Sequence, residues 1–338
     1  KEEGTEDDVA TSSSRVGRKQ QSFRPETRHL QPNQAYEKNQ PRREQVPSRG
    51  GARPHVALNQ KLSTAQSWQE LLETLQQDTK ISHRGAANTM STANFATSIH
   101  RLAKHAVRGN CAQNRAAILA DPRTALLIAS FAEALADRKV ALKARGCSNT
   151  AWALAKLKLP PPLTAFPRQD KSHLSDAAAE VRRGITDAAL QQKQGYPAIS
   201  AFKGIDALSR LAANIMDLTA DFIVDDEANQ RSFEMQGLAN LLWAWATAGR
   251  ASHEAFRMVS RCMIQQADQH LDDGSDPRDL LKPQHWSNTV WAFATARVCD
   301  GHEELLVCLA SLLHRYPWFV DSFSGQQVAT TGWGIATL

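Results

Sequence analysis

Long apolar runs are missing from this chain of 338 residues. A bilayer span needs about 18 consecutive apolar residues or more, so no membrane segment is expected. Disulfide patterning is missing too. The five cysteines, Cys111, Cys147, Cys262, Cys299 and Cys308, are scattered and odd in number. That argues against a disulfide framework and fits a reducing compartment such as the cytosol, a mitochondrial matrix or a stroma. No stretch alternates with a period of two between turn signals, so strands are not expected.

Signatures of chemistry are equally scarce. There is no Walker loop, dinucleotide fingerprint, nucleophile elbow or HExxH sequence. No catalytic residues are assigned, and no enzyme activity or cofactor is expected. Asp272-Asp273-Gly274-Ser275-Asp276 begins like a calcium loop but lacks the closing bidentate Glu. Cys299, His302, Cys308 and His314 are near in sequence. Along a helix, however, Cys308 and His314 stand about 600° apart and point to different sides. No metal site is expected.

Acidic residues are short in one half only. Residues 13–53 hold ten Lys/Arg against three Asp/Glu, and residues 81–157 hold eleven against three. Residues 199–338 hold ten against seventeen, so the net charge of +5 conceals opposed halves. A uniform nucleic-acid cradle is basic throughout, because phosphate neutralisation dominates affinity. The acidic half therefore needs a protein partner, or a groove whose lining differs from its outer wall.

What the chain does have is a recurring phrase. Ser148-Asn149-Thr150-Ala151-Trp152-Ala153-Leu154-Ala155-Lys156 returns as Ala239-Asn240-Leu241-Leu242-Trp243-Ala244-Trp245-Ala246-Thr247. It returns again as Ser287-Asn288-Thr289-Val290-Trp291-Ala292-Phe293-Ala294-Thr295, and a degenerate copy surrounds Trp333. The Trp-to-Trp steps are 91, 48 and 42 residues. A motif at steps of roughly 40 residues marks a stacked repeat array. Apolar spacing of 3, 4 and 7 supports helices in Ser63–Gln77 and Thr89–Val107, with further helices from Asp121-Pro122, over Ser252–His270 and over His302–Tyr316. The expected fold is all-α, an α-solenoid of antiparallel helix pairs with repeats of about 40 residues.

Residues 1–60 read as a basic tail or linker with too little apolar content to order itself. Residues 61–338 read as the array, with phrases near 90–107, 143–157, 234–248, 283–297 and 325–338. Pro160-Pro161-Pro162 ends the Trp152 helix, and 160–198 reads as an insertion. The sequence starts at Lys1 rather than Met and stops within a phrase, so the array is expected to be truncated at its C-terminus.

Repeated residues are expected to be scaffold: Asn149, Trp152, Asn240, Trp243, Asn288, Trp291 and Trp333. An aromatic in every unit suits a shared inter-helix core, and a repeated mid-helix Asn needs its amide satisfied by a neighbouring helix or loop. The competing reading stacks the indoles on bases. Residues that read a ligand should instead vary between units. The candidates are Arg101, Lys104, Arg145, Lys156, Gln236, Gln284, His285, Gln326 and Gln327, whose charges and flat hydrogen-bonding edges suit RNA. The competing reading is a solvated helix face.

These phrases resemble the octotricopeptide repeats of organellar RNA-binding proteins. They are also similar to the helical arrays of FAST-kinase-like proteins that carry a RAP domain. Asn94-Phe95-Ala96-Thr97-Ser98-Ile99-His100-Arg101-Leu102-Ala103-Lys104 resembles the opening unit of such arrays, and its Leu102-Ala103-Lys104 matches Leu154-Ala155-Lys156. The resemblance covers about 63–157 and 199–338. It implies a mitochondrial or chloroplast protein that binds single-stranded or ribosomal RNA. The roles implied are transcript stabilisation, processing, translation or ribosome assembly. The alternative is a protein scaffold or adaptor within a large assembly such as a ribosome.

Overall fold

The computed structural model describes residues 54–79, 90–137, 141–159, 173–193, 205–250, 252–272 and 276–338. The stretch read as a basic tail, up to residue 53, lies outside the described residues, as do the three prolines and the remaining parts of the 160–198 segment. Among the described residues every regular element is helical. No helix among them is long and apolar enough to cross a membrane.

Five helices carry the phrases: α3 (Thr92–Ala106), α6 (Ala144–Lys156), α10 (Met235–Thr247), α13 (Pro283–Ala296) and α16 (Gly325–Thr337). Each packs on the next, forming one continuous layer. Gly146 near the start of α6 faces Thr92 and Ala96 near the start of α3, and Gly237 near the start of α10 faces Ser148 near the start of α6. Starts therefore meet starts, and these helices run parallel. Small residues set the spacing. Ala153, Ala244 and Ala292, each directly after the phrase Trp, are fully buried. The matching Gly334 sits so close to α13 that a Cβ there would lie 2.6 Å from Val290 Cγ1.

The return helices make a second layer: α5 (Pro122–Ala136), α8 (Ile205–Val224), α11 (His253–Asp272) and α14 (His302–Arg315). Pairing a phrase helix with a return helix is the unit of an α-solenoid, and each unit buries its apolar face against its neighbours. Local signals delimit these elements. The Asp121 side chain accepts from the Arg123 amide ahead of Pro122, and Ser252 Oγ accepts from the Ala255 amide. Gly249 and Gly301 close turns at φ 64° and 79°, the left-handed region where a side chain is unfavourable.

Two elements extend the array beyond its expected limits. The first helix, α1 (Pro54–Thr64), begins ahead of residue 61, buries Leu58 and Leu62, and packs on α3. Asn94 fixes it there by donating from Nδ2 to the His55 carbonyl at 2.9 Å. Within 160–198, the helix α7 (His173–Lys193) packs between α5 and α8 through Leu174, Ala178, Val181 and Ile185. α7 is therefore part of the second layer. The remaining helices are α2 (Trp68–Thr79) and α4 (Cys111–Ala120) near the start, and the short connectors α9 (Glu227–Arg231), α12 (Pro277–Leu280) and α15 (Pro317–Asp321).

Candidate functional site

Each phrase helix has two unlike sides. Two residues after the phrase Trp, a large apolar side chain points at the second layer: Leu154, Trp245 and Phe293, all fully buried. Trp245 packs on Phe256 of α11 and donates from Nε1 to Thr219 Oγ1 of α8 at 3.0 Å. Residues two apart on a helix are about 200° apart around its axis. The phrase Trp therefore faces away from the second layer. Trp152, Trp243 and Trp291 are half-buried, and Trp333 is 49% exposed. Trp152, Trp243 and Trp291 pack against the edge of the core, and Trp243 meets Trp291 across neighbouring phrase helices, while the fully buried position is the one two residues later.

The rings make a row across the phrase layer. His100, which occupies the Trp position of α3 when Lys104 is matched to Lys156, meets Trp152 edge-on at 5.0 Å between centroids. Lys156 Nζ stands 5.5 Å from the Trp152 ring centre and 4.0 Å from that of Trp243 on the next helix. Trp243 and Trp291 follow, near-parallel at 26° with centroids 6.4 Å apart.

Amides accompany the rings one turn earlier. Asn149, Asn240 and Asn288 are half-buried on the same face. The expected bond to a neighbouring helix or loop is not seen among the described residues, where none of the three makes a side-chain hydrogen bond. Gln236 and Gln284 sit one turn further back and are exposed, as is Gln326. Gln327 has a structural role, because its Oε1 accepts from the Ser324 amide at 2.8 Å in a capping box that starts α16.

Charge separates by layer. The five phrase helices contain no Asp or Glu at all. The described carboxylates of the acidic half belong to α8, α11, α14, the connectors and adjoining turns, with Glu234 at the N-cap position of α10. Carboxylates outside the phrase helices hold several arginines: Asp217 of α8 pairs with Arg250, Glu180 of α7 with Arg210, and Glu133 of α5 with Arg182 at 2.6 Å. On the phrase face, Lys104, Arg145 and Lys156 form no ion pair with a described carboxylate. Nor does Arg108, at the end of α3, which was not among the sequence candidates.

Crowding of like charges perturbs this end of the layer. Burial, then the charges of Arg101 and Arg108, lowers the Lys104 ammonium below its ordinary value. Burial and Arg108 lower Arg101 as well. The Arg101 guanidinium is partly committed to structure, donating to the Ala65 carbonyl, while its Nε has no partner in the described structure. Burial lowers Lys156. His100 is brought down to about 4 by burial first, then by Lys104 and Arg101. His285, half-buried near the start of α13, is brought to about 4 by burial and Lys282. Both imidazoles are neutral near pH 7.

Among the described residues no three His, Cys, Asp or Glu side chains converge as a metal site would require. The phrase face instead combines half-buried indoles with amides and cations that have no partner among the described residues. Aromatic faces suit stacking, amides suit hydrogen-bonding edges and cations suit phosphates. No protein-family model, curated protein or solved structure matches the chain.

Proposed function

We propose that the phrase-helix layer binds single-stranded RNA and that the described array acts by binding, without a catalytic step. The observation that carries this reading is the composition of that layer. Five adjoining helices lack any carboxylate, while their outward face holds Lys104, Arg145 and Lys156 beside Trp152, Trp243 and Trp291. A merely solvated helix face has no need to exclude acidic residues. The acidic half does not oppose the reading, because its described carboxylates lie outside the phrase helices, mostly in the other layer, the connectors and the turns, with Glu234 only at the N-cap of α10.

Cations concentrate on α3 and α6, while α10 and α13 offer amides and rings. The phosphates of a bound strand would be held most firmly at the α3–α6 end, with bases engaged along the remainder. Together with the resemblance to octotricopeptide arrays, this supports a role in organellar post-transcriptional gene expression. A protein adaptor is the second reading. It draws on Val328, Trp333 and Ile335 of α16, which are 57%, 49% and 49% exposed.

Fluorescence anisotropy with labelled single-stranded RNA, repeated over a salt series, tests the proposal. Saturable binding that weakens steeply with salt, and weakens further when Lys104, Arg145 and Lys156 are changed to Gln, is the expected result. No saturable binding at low salt overturns it.

A further inference from the structure

Trp243 has little ring face left to offer a base. Its helix, α10, packs on α6 at one side and on α13 at the other. From α6, Lys156 Nζ stands 4.0 Å from the Trp243 ring centre. From α13, the Trp291 ring lies near-parallel to it, with centroids 6.4 Å apart. Trp333 is the contrast: it is 49% exposed, and no ring or cation lies against it among the described residues. Base stacking needs a bare face, so the covered ring of Trp243 serves in another way.

Its cationic neighbour shows which. Lys156 closes α6 one turn after Trp152, on the same face of the helix. Its Nζ is 5.5 Å from the Trp152 ring centre and closer still to the ring on the next helix. Lys156 is half-buried, yet its ammonium makes no hydrogen bond or ion pair among the described residues and is not sealed from solvent. A lysine ammonium is a point charge on a flexible stem, and fixing it against a phosphate costs side-chain entropy. An indole face attracts the ammonium electrostatically, which meets part of that cost before any ligand arrives. Thr247 and Thr295 stand in the lysine's place on α10 and α13, so the arrangement falls where the cationic helices give way to the aromatic ones.

Resting on the RNA-binding reading, we infer that Trp243 is a positioning residue: its ring holds the Lys156 ammonium ready for a backbone phosphate and takes no base. Trp291 backs the ring from the α13 side. This role differs from stacking in two measurable ways. Removing the ring weakens an electrostatic contact, so the salt dependence of binding changes. The effect also disappears once Lys156 has lost its charge.

The test is anisotropy with labelled single-stranded RNA over a salt series, on the full chain. It compares Trp243→Leu, Trp243→Phe, Lys156→Met and the double variant Trp243→Leu/Lys156→Met, each checked for helical circular dichroism. Trp243→Leu should weaken binding about two- to tenfold at low salt, the cost of immobilising one long side chain. Its slope of log affinity against log salt should shrink by about 0.7, the value for one phosphate of a single strand. Trp243→Phe keeps a ring for the ammonium and should retain most of both. Adding Trp243→Leu to Lys156→Met should change neither. Lost affinity in Trp243→Leu with the salt slope intact overturns the inference, because that pattern marks lost stacking. Unchanged affinity in Trp243→Leu overturns it too, as does a Phe variant as weak as the Leu variant or a Leu effect that persists without the Lys156 charge. In each of those cases the RNA-binding reading stands; failure of the native chain to bind RNA removes that reading itself.

Discussion

Lys156 Nζ lies 4.0 Å from the ring centre of Trp243, which belongs to the next phrase helix. This contact joins the cationic start of the phrase face to its aromatic continuation. An ammonium over an indole face contributes about 0.5–1 kcal/mol at exposed sites. The charge is only half-covered, with Trp152 on its other side, and it has no carboxylate counterion among the described residues.

Changing Lys156 to Met keeps the apolar stem and removes the charge. Stability should fall by no more than about 1 kcal/mol. RNA affinity should fall, and the slope of log affinity against log salt should shrink by about 0.7, the value for one phosphate of a single strand left unneutralised. Urea melts and a salt series of binding isotherms measure the two effects separately.

Face and core tryptophans should respond in opposite ways. Trp291→Leu should leave the melting temperature nearly unchanged, weaken RNA binding by about 1–3 kcal/mol and leave the salt slope intact. Trp245→Ala empties a fully buried site and removes the bond to Thr219, so it should cost about 3–5 kcal/mol of stability. Thermal melts of the two variants beside their binding isotherms would expose any exchange of roles.

The split between these two tryptophans was only partly legible in the sequence. Helices, caps and the pairing of phrase with return helix follow from apolar spacing and from signals such as Asp121-Pro122. The sidedness of the phrase does not. Identity of Asn and Trp across units suggests scaffold, yet identity also results when every unit presents the same contact. A clue stood in Trp243-Ala244-Trp245, where two rings about 200° apart cannot both face one neighbouring layer. Charge misled for a related reason. Counts along the chain divide it into halves, whereas folding interleaves phrase and return helices and sorts carboxylates by layer. In α7, prolines and mixed polarity nearby masked a regular stripe of Leu174, Ala178, Val181 and Ile185.

Gly334 marks the closest approach of α16 to α13. Gly334→Ala would place a methyl 2.6 Å from Val290 Cγ1 and 3.2 Å from the Val290 carbonyl oxygen. Overpacking of this kind typically costs about 1–3 kcal/mol. The last phrase helix should shift or fray, seen as faster amide hydrogen exchange in 325–337. By contrast, Gly332→Ala meets no atom within 4 Å and should leave exchange unchanged or slower.

Acid should weaken the fold through His100 and His285. Each has a folded value of about 4 against an ordinary 6.5. Between those values the unfolded chain binds protons that the folded chain does not, so stability rises with pH. The contribution is complete above about pH 6.5 and is lost as pH falls toward 4. His100→Phe, which keeps an aromatic ring against Trp152, should flatten part of this dependence. Denaturant midpoints from pH 4 to pH 8 would show it, and an unchanged profile in the variant would remove His100 from the account.

The most direct test is ultraviolet crosslinking of the purified chain to single-stranded RNA, with the crosslinked peptides mapped by mass spectrometry. The account predicts crosslinks in α3, α6, α10 and α13, centred on Lys104, Trp152, Lys156, Trp243 and Trp291. Crosslinks concentrated in α8, α11 and α14, or none above a non-binding control, would contradict it.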